Sequence, residues 1–192
     1  FFCYCAGHLQ ILHSSIRRQG RSGIRDRGRE ADIVRALADR VRWLGGSRVF
    51  VCDSDRDGPW SYTSRRNEAH AAIGDGPGVV CHLHVNAGGG SYLLGLHDPR
   101  SSTGQRYAEQ WCLRSAAQFD LAPRSVKCVA ADRPNWSNAA NLIEPSYAAT
   151  PAGVAAVLLE IGFIDNPDHR DLLIGDSAMD RHAAAILAAW SD

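Results

Sequence analysis

The sequence predicts one three-layer α/β domain spanning residues 1–192. Its expected core is a mainly parallel, twisted sheet of about six strands with helices on both faces. Three observations carry that expectation. Short apolar runs of strand length alternate with helical patterns along the whole chain, the order that builds a parallel sheet. Several of the runs are continuously apolar, as strands covered on both faces are. The 192 residues contain no internal repeat, low-complexity tract or interdomain linker, and this length suits a single domain with a substantial core.

Strands are expected at Phe1–Ala6, Ser47–Cys52, Gly78–Val85, Ser91–His97, Ser125–Ala130 and Val154–Gly162. The first helix is expected from Glu30, where Ile33, Val34, Leu37, Val41 and Leu44 fall on one stripe and Gly45 supplies a stop. Further helices fit Thr63–Ala72, Gly104–Ala117 and Ala178–Trp190, the last with Met179, Ile186 and Leu187 turned inward. The segment Ser14–Glu30 carries six arginines and three glycines without periodicity. It reads as a solvated loop or as a flexible rim that meets an anionic substrate. Ala131–Gly153 is long, polar and rich in Pro and Asn, and loops of that kind in compact domains are usually functional or disordered.

Charge and cysteine content narrow the function classes. Basic and acidic side chains balance at 21 each, so no global field favours nucleic acid or an anionic membrane as partner. No apolar run is long enough to span a bilayer. The first residues, "FFCYCAGH", have neither the basic start nor the long apolar stretch of a secretory signal and read as a strand. Six cysteines occur without a Cys-Xaa-Xaa-Cys pair and are too sparse for a disulfide scaffold. Reduced, buried thiols are expected.

In a parallel α/β sheet, sites gather beyond the carboxyl ends of the strands. His8 follows the first strand, His84 nears the end of the third, and Glu160 ends the last after six apolar residues. Glu30 opens the expected first helix, where a carboxylate also suits the positive end of the helix dipole. In "VVCHLHVNA" the alternation of a strand puts His82, His84 and Asn86 on one face, with Cys81, Leu83 and Val85 on the other. Two histidines and a carboxylate with an open fourth position form a catalytic zinc arrangement, and a second, free carboxylate can move the water's proton. Glu30 and Glu160 can fill those two posts. "AGGGSY" (Ala87–Tyr92) leads into no helix, so it reads as the edge of a cleft rather than a phosphate cradle.

With these residues in place, the chain resembles the zinc-dependent N-acetylmuramoyl-L-alanine amidases of the amidase_3 family, as found in phage endolysins and bacterial wall amidases. The family pattern of Gly-His, Glu, His-Xaa-Asn and Glu-Xaa-Gly-Phe followed by Asn matches Gly7-His8, Glu30, His84 with Asn86, and Glu160 to Phe163 with Asn166. "SRRNEAHAA" (Ser64–Ala72) and "LAPRSVKC" (Leu121–Cys128) match intermediate segments in the right order. His82 stands where the family usually has Ser, and "LQILHSS" replaces its glycine-rich loop after the first histidine.

The resemblance implies one zinc ion held by His8, Glu30 and His84, with Glu160 as general base. The implied reaction is hydrolysis of the amide between N-acetylmuramic acid and L-alanine in peptidoglycan. His13 is a rival to His8, and Glu68 an alternative to Glu30. Asn86 either orients a ligand or substrate group or caps its loop. Trp136 and Asn141 either contact sugar or stem peptide or fasten their loop. A cysteine hydrolase using Cys81 or Cys52 and a non-catalytic wall-binding domain are the competing readings. The expected protein is a monomeric single domain without a separate wall-binding module. It would act on the cell wall, outside the cell or in the periplasm, as a phage lysin made in the host cytoplasm or as a bacterial autolysin.

Overall fold

The structure is a computed structural model that describes residues 2–6, 22–52, 62–132, 136, 139, 140, 143 and 154–190. His8, His13 and Asn141 lie outside the described residues. Among the described residues, eleven strands and α-helices follow one another: β1 Phe2–Ala6, α1 Ser22–Gly45, β2 Val49–Cys52, α2 Tyr62–Ile73, β3 Gly78–Asn86, β4 Leu93–His97, α3 Ser102–Phe119, β5 Val126–Ala130, β6 Val154–Phe163, α4 Arg170–Leu173 and α5 Asp176–Ala188. The strands join in one sheet in the order β2-β1-β3-β6-β4-β5. All neighbours are parallel except β4 and β6, which run antiparallel. The mixed α/β class with a mainly parallel sheet is therefore the one expected.

The two central strands explain themselves by composition. Every residue of β3 is buried except Asn86, and every residue of β6 except Glu160. Val79, Cys81, Leu83 and Val85 pack with Ala155, Val157, Leu159 and Ile161 against α1, α3 and α5. Val80 and Val154 meet Ala69 and Ile73 of α2 on the opposite face. Further along that face, Leu94, Leu96, Ala156 and Leu158 pack with Ala139 and Ile143. α3 is set by its ends: Ser101 Oγ accepts the Gly104 N–H at 2.9 Å, and Asp120 closes the helix in the left-handed region at φ 52.

Two sequence expectations need correction. α1 begins at Ser22, so residues 22–29 of the supposed arginine-rich loop are helical. Arginine is a good helix former, and lack of periodicity at a helix end signals a solvated turn as readily as a loop. The expected apolar stripe of α1 holds, with Ile33 packed against the core, and fails only at its last member. Val34, Leu37, Ala38 and Val41 are buried, whereas Leu44 is 41% exposed.

Candidate metal-dependent active site

Pairing of β3 with β6 builds the centre of the site. His84 stands opposite Glu160 in the register, and paired residues of adjacent strands project from the same face. Both lie near the carboxyl ends of their strands, where the topology of an α/β sheet opens a crevice. His82 is buried on the same face, opposite Leu158 and one step deeper.

Glu30 reaches this point from α1. It sits in the third turn of the helix rather than at its start, too far from the helix N-terminus for the dipole to account for its position. Its Oε1 accepts the Val85 N–H at 3.3 Å and lies 3.4 Å from His84 Nδ1. Both side chains are largely shielded, 3% exposed for His84 and 12% for Glu30. Glu68 lies on α2, and its shielded Oε2 has no hydrogen-bond partner among the described residues.

Glu160 is the electrostatic exception in its strand. Its Oε2 is shielded from solvent and has no hydrogen-bond partner among the described residues. Burial pushes its carboxyl up to about 7, with His84 opposing the shift and the Glu30 carboxylate adding to it. A proton acceptor poised near neutrality is thereby set beside a carboxylate–imidazole pair.

The distance between that pair bears on a metal. Zinc bonds of about 2.0–2.1 Å to nitrogen and oxygen in tetrahedral geometry put neighbouring donors about 3.3 Å apart. The 3.4 Å between Glu30 Oε1 and His84 Nδ1 fits two ligands of one such ion. Among the described residues no three His, Cys, Asp or Glu side chains converge as a metal cage. The third ligand implied by the resemblance, His8, lies outside them.

The segment after Glu160 fixes the rim. Between His84↔Glu160 and Asn86↔Phe163, β6 accommodates one extra residue, a bulge that includes Gly162 at φ +155. Downstream, Asp165 Oδ2 accepts the Gly88 and Gly89 amides at 2.7 and 3.0 Å. Asn166 Nδ2 donates to the Gly90 carbonyl at 2.7 Å. The Phe163 N–H donates to His169 Nδ1 at 3.0 Å, leaving the ring's proton on Nε2 toward the Ser91 carbonyl. Burial holds the His169 pKa below its ordinary value, which keeps the ring neutral for this bridge. The "IDNPDH" run thus clamps the glycine loop, a function the sequence analysis assigned to none of these residues. Asp-Asn-Pro directly after a strand is the turn signal that marks it.

The remaining candidates have local partners. Asn86 Oδ1 accepts the Ala87 N–H at 2.8 Å, the arrangement of a loop cap. Trp136 is half-buried and packs, with Tyr92 and Val129, on the Leu94–Leu96 cluster. Cys81 is fully buried with the residues of the opposite face, away from His82 and His84.

No protein-family model matches the chain, and no curated protein matches it. Solved structures do. The catalytic domain of the N-acetylmuramoyl-L-alanine amidase CwlV from Bacillus (Paenibacillus) polymyxa superposes with a TM-score of 0.65 at 19% identity, over 98% of this chain and 94% of that one. The CwlD amidase of Clostridioides difficile, solved with the GerS lipoprotein, gives 0.66 at 17% identity, over 99% and 95%. The catalytic domain of an endolysin targeting Clostridia difficile gives 0.53 at 21% identity, over 82% and 78%. At these identities the likeness is one of fold.

Proposed function

We propose that this chain is a zinc-dependent amidase that cleaves the bond between N-acetylmuramic acid and L-alanine in peptidoglycan. The observation that carries the reading is the 3.4 Å approach of Glu30 Oε1 to His84 Nδ1 beside the half-buried Glu160, whose Oε2 has no hydrogen-bond partner among the described residues. It stands at the strand ends of a fold shared with solved amidases of this type.

Glu30 and His84, with His8 as third ligand, would hold the ion. Bound there, zinc supplies a water that ionises near neutral pH and a polarised scissile carbonyl. The Val85 amide keeps the Glu30 carboxylate turned toward His84. Glu160 takes the proton of the attacking water and hands it to the L-alanine nitrogen as the amide breaks. An acceptor held near pH 7 can serve in both directions. The clamped Gly88–Ser91 loop walls the cleft along which the glycan and stem peptide lie. The substrate places the action at the cell wall, with one protomer sufficient for the site.

The test is release of new L-alanine amino termini from purified peptidoglycan. Release should stop with a chelator and return with added zinc. Turnover that persists in chelator overturns the metal assignment. A folded, zinc-loaded protein that releases nothing overturns the substrate, and wall binding without release would leave a binding domain of the same fold.

A further inference from the structure

The strand order carries the site further across the sheet than the ligands themselves. Registers join His84 to Glu160, Glu160 to Leu94, and Leu94 to Lys127. The four residues form one row over β3, β6, β4 and β5, and all project from the same face. Strands lie about 4.8 Å apart, which puts the Lys127 backbone about 10 Å from that of Glu160.

Lys127 is exposed, yet its side chain is directed. Its ammonium lies 3.5 Å from the centroid of the Tyr92 ring. Tyr92 packs edge-on against Phe163 at 5.0 Å, and Phe163 is held by the His169 bridge. The Phe163 ring also lies so close to Gly90 that a Cβ there would meet it at 2.2 Å. The cation is thus positioned through three rings from the segment that carries Glu160. Among the described residues no acidic side chain pairs with it. Lysines on edge strands discourage sheet-to-sheet pairing, but that function needs no ring beneath the ammonium.

We propose that Lys127, seated on Tyr92, selects substrate by receiving a carboxylate of the stem peptide, the free α-carboxylate of the acidic residue that follows L-alanine. The proposal rests on the amidase reading for the position of the scissile bond. A lysine reaches about 6 Å from its Cα, and one further peptide residue covers about 3.4 Å, so a group one residue beyond the scissile amide falls within its range. Walls in which that carboxylate is masked as an amide would be poorer substrates.

The experiment uses two synthetic muropeptides identical except for a free α-carboxylate or its amide at that residue. KM and kcat are measured separately for the zinc-loaded wild type, Lys127→Gln and Lys127→Arg. A charge-assisted contact at an exposed site should lower KM roughly tenfold for the free carboxylate. Lys127→Gln should bring the ratio of the two KM values close to one, and Lys127→Arg should restore much of it. Turnover without discrimination, or discrimination that survives Lys127→Gln, overturns the proposal and leaves the amidase reading intact. If neither compound is cleaved, the amidase reading fails, and binding of the same two compounds, followed by NMR titration, decides the subsite. Preference for the carboxylate by wild type but not by Lys127→Gln then supports it; equal binding overturns it.

Discussion

Glu160 interrupts an otherwise buried strand, and its environment sets its chemistry. Replacing it with Gln keeps the shape and removes the proton acceptor, so amidase turnover should fall about 10²–10⁴-fold. Zinc content, measured by elemental analysis, should be retained, because Glu160 is assigned to the proton and not to the metal. His84→Ala should instead lose the metal. The same carboxyl makes a prediction for protein stripped of metal. Its folded pKa, raised to about 7 from an ordinary 4.5, means that the folded state holds a proton the unfolded chain has released. Stability should therefore fall as pH rises from 4.5 to 7. Glu160→Gln should flatten that slope in urea unfolding of chelator-treated protein.

Among the elements, β6 decides the geometry of the rim. Its bulge brings Phe163, still paired with Asn86, into the packing beneath Gly90. Gly162 occupies a backbone region that L side chains rarely adopt, and a Cβ there would lie 3.0 Å from Leu173 Cδ2 and 3.3 Å from His169 Nδ1. Gly162→Ala should destabilise the protein by about 1–3 kcal/mol, read as a lower urea midpoint. It should also reduce turnover, because the clamp of Asp165, Asn166 and His169 on the glycine loop starts from that bulge. An unchanged midpoint would mean that the strand absorbs the methyl without losing its register.

At the scale of the molecule, the helices of one face are tied together away from the site. Tyr107 of α3 donates to the Ile186 carbonyl of α5 at 3.0 Å. His182 of α5, fully buried, bonds through Nε2 to the Leu172 carbonyl of α4 at 2.8 Å. Burial pulls its pKa down to about 4 from 6.5. The folded state then binds fewer protons than the unfolded one between those values, so stability should fall as pH drops from 6.5 toward 4, by up to about 3 kcal/mol. His182→Gln, which can still donate to Leu172, should remove much of that acid sensitivity in thermal unfolding followed against pH.

The alternation of apolar runs and helical stripes determined the class of fold and most element positions, because periodicity and burial on both faces are local properties of a sequence. It also marked His84 and Glu160 as strand-end residues, since a charged group closing an apolar run needs a partner. Which strands neighbour one another is not local. Placing β6 between β3 and β4 is what joins Glu160 to His84 on one side and to the Lys127 row on the other. The approach of Glu30 to His84 and the clamp on the glycine loop likewise depend on long-range packing. Each joins residues distant in the chain, so only the tertiary structure could decide it.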